Sequence, residues 1–202
     1  CPLSIMQSAW QADLFKFAIH RTVDVAHGDR SKRKAIINSG AEYVVINFDG
    51  LDIVKEDVQK GGFDLIIVDE ANAYKNHRTK RFKALKDALT SKTWLWMMTG
   101  TPAAQSPLDA YGLAKMCTPS RTPTLYGAYR DMVMQQLTRF KWIPKPSADQ
   151  TVHKLLQPAI RYTKAECLDL PEATHVSRFA PMTAQQSKYY KQLKKDMLLS
   201  LI

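Results

Sequence analysis

An open parallel α/β sheet flanked by helices is predicted by three observations. Short β-rich apolar segments alternate with amphipathic helical patterns through the first half of the chain, the order expected of successive βα units. One segment, Phe63-Asp64-Leu65-Ile66-Ile67-Val68, is nearly continuously apolar, as a central parallel strand covered on both faces would be. Two such apolar runs each end in a turn with chemically useful side chains, and open α/β sheets gather functional groups at the carboxyl ends of their strands.

Taken in order, Ser8 is positioned to cap a first helix that places Trp10, Leu14 and Phe17 on one face. A strand is expected over Thr22 to Ala26, then a basic helix from Ser31 to Asn38 stopped by Gly40. Tyr43 to Ile46 reads as the next strand, and Leu51 to Gln59 as a helix closed by Gly61-Gly62. After the central strand, Phe82, Leu85 and Leu89 line one side of a helix whose other faces carry Lys80, Arg81, Lys83 and Lys86. Trp94 to Met98 is a buried strand in this reading, with Trp94 and Trp96 as core and helix-packing residues, and a helix starts near Pro107.

From Thr118 to Pro146 proline and polar residues flank an amphipathic stretch, Leu125 to Phe140, read as a small helical protrusion. A further segment covers Val152 to Ile160. A strand is expected over His175 to Ala180, followed by a helix opened by Thr183 with Gln186 in capping-box position. Tyr190, Leu193, Met197 and Leu201 would form its apolar stripe.

Hydrophobic residues make up 45% and charged residues 24% of the 202 residues, which suits a globular protein. No apolar run approaches the ~20 residues of a membrane-spanning helix, and the first residues lack the features of a signal peptide, so the chain is read as soluble and intracellular. Cys1, Cys117 and Cys167 are too far apart for a C-x-x-C metal site and argue against a disulfide framework. The five histidines are too scattered to ligate a metal together. A formal net charge of +10 favours polyanionic partners, although the basic residues are dispersed and many solvate helix faces.

Chemistry concentrates in two places. Asp69-Glu70-Ala71-Asn72 follows the central strand directly. An acid pair there can set one carboxylate on Mg²⁺ and a second on the water that attacks a γ-phosphate; capping of the next helix is the competing reading. Thr99-Gly100-Thr101-Pro102 follows the next apolar strand. Its hydroxyls can bond to the acidic loop and respond to phosphate; an ordinary Gly-Pro turn is the alternative.

In that order, the two sequences resemble the DEAH-type box and the (S/T)GTP motif of superfamily II helicases and translocases. The neighbouring blocks narrow the resemblance to Swi/Snf-type DNA translocases. These are Pro2 to Trp10 with Phe15-Lys16-Phe17, His27-Gly28-Asp29 with Arg33, Val45 to Asp49, Ala73-Tyr74-Lys75-Asn76 with Lys80 to Leu85, and Arg161-Tyr162-Thr163-Lys164 with Leu170-Pro171.

The resemblance implies a RecA-like lobe that uses ATP and Mg²⁺ and tracks on DNA, commonly duplex, together with a second RecA-like lobe. It assigns Asp69 to Mg²⁺ and Glu70 to general-base catalysis. Asn72, Thr99, Gly100 and Thr101 join them around the nucleotide, the two threonines coupling hydrolysis to lobe movement. Ser4, Asn47, Phe48 and Lys75 are placed near nucleic acid. The expected divisions are residues 1–117 for the lobe, 118–160 for the insertion, and 161–202 for the linker and the start of the second lobe.

Three departures accompany the resemblance. Asn72 stands where the family has His or Gln. No G-x-x-x-x-G-K-[ST] phosphate loop occurs in these residues, and Cys1-Pro2 resembles the end of a strand already under way. No second lobe follows Ile202. The chain alone is therefore expected to hydrolyse no ATP at a meaningful rate. An RNA helicase, a restriction-type motor subunit and a non-catalytic nucleic-acid-binding lobe are the alternatives.

Overall fold

β-Branched and aromatic residues form four short strands, and each is followed by a segment with helical periodicity. The structure is a computed structural model that describes residues 1–167, 169 and 176–199. Its backbone forms two units, Cys1–Ala159 and Ile160–Ile202.

In the first unit the parallel strands are β1 (Val23–Ala26), β2 (Tyr43–Ile46), β3 (Leu65–Val68) and β4 (Trp94–Met97). The helices among them are α1 (Ala12–Phe17), α2 (Arg30–Ile37), α3 (Phe48–Lys60) and α4 (Lys80–Ala88). β1 pairs in parallel with β2, and β3 with β4. Every connection within a pair contains a helix, as parallel pairing requires.

Local chemistry explains the helix starts. Asp29 accepts the Lys32 amide at 2.9 Å and so caps α2. Thr79 does the same for α4 through the Phe82 amide. Gly40, at φ +81°, carries the chain out of α2 in a conformation that glycine adopts freely. α3 begins three residues earlier than the periodicity predicts, at Phe48, and its geometry breaks at Val54.

The main core lies against one face of the strands. Leu51, Val54 and Val58 of α3 and Leu85 and Ala88 of α4 pack with Ile37, Val68, Tyr74 and Leu113. Ile66, Leu95 and Met97 turn their side chains to this cluster. Side chains alternate along a strand, so Leu65, Ile67, Trp94 and Trp96 take the other face, where Leu65 pairs with Trp94 and Ile67 with Trp96.

That alternation corrects one expectation. Trp94 and Trp96 are 73% and 58% exposed rather than core residues, because the core takes up only Leu95 and Met97 of β4. Among the described residues the ladder is interrupted between β2 and β3. An apolar crevice lies there, lined among others by Trp10, Leu14, Val45, Ile46, Leu65 and Ile67. The Cys1 amine donates to the Ile46 carbonyl at its rim.

The opening segment also departs from its sequence reading. Leu3–Ile5 is a 3₁₀ turn and Met6–Gln11 a π-helical turn that runs directly into α1. Ser8 therefore sits inside the turn, with its hydroxyl donating to the Ser4 carbonyl, and caps nothing. Phe17 is exposed and does not share a buried face with Trp10 and Leu14.

Beyond β4, Ser106 accepts the Leu108 amide and opens the turn into α5 (Ala110–Cys117). The amphipathic stretch after it divides into α6 (Tyr126–Val133) and an antiparallel hairpin, β5 (Met134–Thr138) with β6 (Lys141–Pro144), before α7 (Ala148–Leu155). The helix expected to reach Phe140 ends at Val133, because Met134, Gln135, Gln136 and Thr138 pair across the hairpin, and Leu137 and Phe140 are left exposed. Tyr111, Ala114, Tyr129, Val133, Val152 and Leu155 form a second apolar cluster that joins α5 to α6 and α7.

In the second unit are α8 (Lys164–Cys167) and α9 (Ala184–Leu199). The capping box is reciprocal. Gln186 donates its amide to the Thr183 hydroxyl oxygen at 3.2 Å, and Thr183 donates its own to Gln186 Oε1 at 3.0 Å. Residues 176–180 form no strand, and His175 lies outside the described residues, as do Leu170, Pro171 and Leu201. Tyr189 and Tyr190 are exposed.

Candidate active site

The two chemistry-bearing turns leave neighbouring parallel strands at their carboxyl ends. Met98 donates to the Val68 carbonyl at 2.8 Å, and Ala71 donates to the Met98 carbonyl at 2.9 Å. The backbone of β4 thus pins the acidic turn beside the threonine turn. Asn72 Nδ2 then donates to Thr101 Oγ1 at 3.3 Å. Within the second turn, Thr99 Oγ1 accepts the Thr101 amide at 3.2 Å.

The acid pair divides into two unlike environments. Asp69 is half-buried and both of its oxygens are engaged. Oδ2 accepts the Trp10 indole N–H at 2.9 Å, and Oδ1 accepts the Glu70 amide at 3.0 Å. Glu70 is exposed and stands in the left-handed region, at φ 51° and ψ 56°. That conformation is unfavourable for a residue with a Cβ, and such strain concentrates at functional sites. It follows from the sharp passage between β3 and the 3₁₀ turn Ala71–Tyr74.

Asn72 Oδ1 is buried without a hydrogen-bond partner, an acceptor beside the acid pair that a donor could still satisfy. A Cβ at Gly100 would meet nothing within 4 Å, so this turn has open space above it.

The four residues expected near nucleic acid are placed differently from one another. Ser4 is exposed on the 3₁₀ turn Leu3–Ile5. Asn47 is buried at the end of β2, where its Oδ1 accepts Arg33 Nη1 at 3.0 Å. Phe48 is half-buried, edge-on to Tyr74 with ring centres 5.5 Å apart. Lys75 is half-exposed and forms an ion pair with Asp109 at 3.4 Å.

Two features of the site are illegible in sequence. Trp10 reaches Asp69 across 59 positions, and no local pattern forecasts such a contact. Arg33 is buried and also donates to the Gly28 and Ala26 carbonyls. It ties the end of β1 to Asn47, an order visible in sequence only as a basic residue near Gly28.

Electrostatics further stiffen the acidic turn's surroundings. Arg81 grips Asp49 with two bonds, at 2.6 and 2.9 Å. Those bonds hold the Asp49 carboxyl below its ordinary range, and the same contact raises Arg81. Burial pushes the Tyr74 phenol up to about 12, so it stays a neutral packing group at physiological pH.

No cluster of three or more His, Cys, Asp or Glu side chains gathers among the described residues. Magnesium does not need one: it is commonly held by one or two carboxylates, keeping the rest of its shell for water and phosphate oxygens. The hard oxygens of Asp69 and Glu70 suit that ion. Each Asp69 oxygen accepts one hydrogen bond and keeps a further lone pair for coordination.

This fold and site place the chain in a known class. It belongs to the SNF2-related domain family, which matches residues 1–201. It is similar to the mouse (Mus musculus) protein named chromodomain-helicase-DNA-binding protein 1-like, at 29% identity over 98% of the chain. It is also similar to a Caenorhabditis elegans chromodomain-helicase-DNA-binding protein 3 homolog, at 24% identity over 81% of the chain. Among solved structures, it is similar to the Sulfolobus solfataricus SWI2/SNF2 ATPase core in complex with dsDNA, with a TM-score of 0.64 and 26% identity over 98% of the chain. The RecA-like fold is therefore shared. The chain spans 22% and 9% of the two relatives' lengths and 41% of the solved core. No described helix is long and apolar enough to cross a membrane.

Proposed function

We propose that this chain is part of an ATP-driven motor that moves on DNA, with duplex DNA as its track. The observation that carries the reading is the joint between the two turns, in which Asn72 donates to Thr101 and Ala71 to Met98. It sets two carboxylates and two hydroxyls at one sheet edge, the arrangement needed to sense and hydrolyse a triphosphate.

In this reading Asp69 holds Mg²⁺, which when bound offsets the charge of the phosphate oxygens. Glu70 is exposed and accepts the proton of the attacking water on its carboxylate. Thr99 and Thr101 respond to the phosphates, and Asn72 transmits that response to the acidic turn. Ser4 and the Asn47-Phe48 turn face the nucleic-acid backbone, Arg33 holding Asn47 in place. Lys75 serves the same surface while partly neutralised by Asp109.

The division of the chain into a lobe (1–117), an insertion (118–160) and a linker with the start of a second lobe (161–202) belongs to the same proposal. Asn72 at a position where His or Gln is usual supports a working lobe over a degenerate binding module, because its amide makes the inter-turn bond.

The test is ATP hydrolysis by the full-length polypeptide that carries this chain. Duplex DNA should stimulate it more than RNA or single strands, and Glu70→Gln should abolish it. Stimulation should fall steeply with salt, as phosphate contacts require. Hydrolysis that survives Glu70→Gln, or ignores DNA, refutes the proposal.

A further inference from the structure

The Asp69 carboxylate is held from outside its own turn by one side chain. Trp10 Nε1 donates to Asp69 Oδ2 at 2.9 Å, while the neighbouring Glu70 amide takes Oδ1 at 3.0 Å. An indole N–H can only donate, so the direction of this bond is fixed. Its acceptor is a carboxylate oxygen, which makes it one of the stronger kinds of hydrogen bond. With both oxygens tethered, the carboxylate plane cannot rotate freely about χ2.

The tether has a firm base. Trp10 lies on the π-helical turn Met6–Gln11, a rare geometry found often at functional sites. Met6 fixes that turn to the interior, its own side chain only 2% exposed. The indole also lines the apolar crevice between β2 and β3 with Leu14. The ring is thereby anchored by packing while its single polar atom addresses the acid.

We propose that Trp10 is a positioning residue for the metal-binding carboxylate: its indole N–H orients Asp69 so that the remaining lone pairs of that group point at Mg²⁺. This rests on the motor reading of the acidic turn. Partners that orient a ligand in this way commonly change metal affinity by about 10- to 100-fold when removed.

The experiment uses the full-length polypeptide and reads Mg²⁺-dependent binding of a fluorescent ADP analogue, without turnover. Trp10→Phe keeps an apolar ring and deletes the donor. It should raise the Mg²⁺ concentration needed for binding about 10- to 100-fold and leave binding without Mg²⁺ unchanged. Val58→Ala loosens the core under α3 without touching the donor or the packing of its ring, and should leave the Mg²⁺ requirement within about twofold of the unaltered protein. An unchanged requirement in folded Trp10→Phe, or an equal rise in Val58→Ala, overturns the proposal.

A second measurement needs no destabilising variant. 5-Fluorotryptophan placed at position 10 should give a fluorine resonance that moves when Mg²⁺ is added to the ADP-bound protein; a stationary resonance overturns the proposal. If the unaltered protein binds no nucleotide at all, the motor reading itself is what fails.

Discussion

Glu70 carries a conformational cost that can be separated from its chemistry. At φ 51° and ψ 56° its Cβ lies in the left-handed region, which costs an L-residue roughly 1–2 kcal/mol relative to glycine. Glycine loses more backbone freedom on folding, which takes back about 0.4–1 kcal/mol. Glu70→Gly should therefore be more stable than Glu70→Ala by about 0.5–1 kcal/mol, since both lack the carboxylate and only alanine keeps the strain. For a unit of this size the gap corresponds to a melting-temperature difference of about 1–4 °C. Thermal unfolding followed by circular dichroism measures it, with Glu70→Gln as a third variant that keeps both strain and shape. All three should lack hydrolysis in the full-length polypeptide. Equal melting temperatures for the glycine and alanine variants, or a lower one for glycine, would show that the turn is not strained and refute the reasoning.

Other outcomes follow from single contacts. A Cβ on Gly112 would stand 2.3 Å from the Tyr74 carbonyl oxygen and 2.4 Å from that of Lys75, so Gly112→Ala must push α5 off the acidic turn. It should cost about 1–3 kcal/mol, seen as a melting point lowered by about 2–12 °C. The bond between Asn72 and Thr101 should appear as a coupling of about 0.5–1.5 kcal/mol in an unfolding double-mutant cycle of Asn72→Ala and Thr101→Val, and additive effects would deny it. His77 packs against Phe82, Tyr111 and Tyr126. Burial lowers its pKa, with the charges of Arg78 and Lys115 acting in the same direction. Its contribution to stability is thus fully present above the unfolded value of about 6.5 and is lost as pH falls through the lower folded value. His77→Phe should flatten the melting temperature across that window, and an unchanged pH profile would count against this role.

The order of elements and the position of both chemical turns are legible in the residues alone. Strands and helices announce themselves by period, and Asp69-Glu70 and Thr99-Gly100-Thr101 each stand directly behind an apolar run. The Thr183–Gln186 capping box is legible for the same reason: its partners are three residues apart, and local spacing encodes local bonds. Periodicity failed where two periods overlap. Met132, Val133, Gln136 and Phe140 fit a helix, yet the chain from Met134 onward alternates across a hairpin.

Only the tertiary structure decided which face of each strand is covered and which distant side chains meet. Trp94 and Leu95 are both apolar, and nothing in their order says that Leu95 joins the core while Trp94 stays exposed. Trp10 on Asp69, Arg33 on Asn47 and Asn72 on Thr101 join residues 59, 14 and 29 positions apart. A sequence records which donors and acceptors exist. Which of them satisfy one another depends on where packing of the apolar faces brings the strand ends, and that is a property of the whole folded chain.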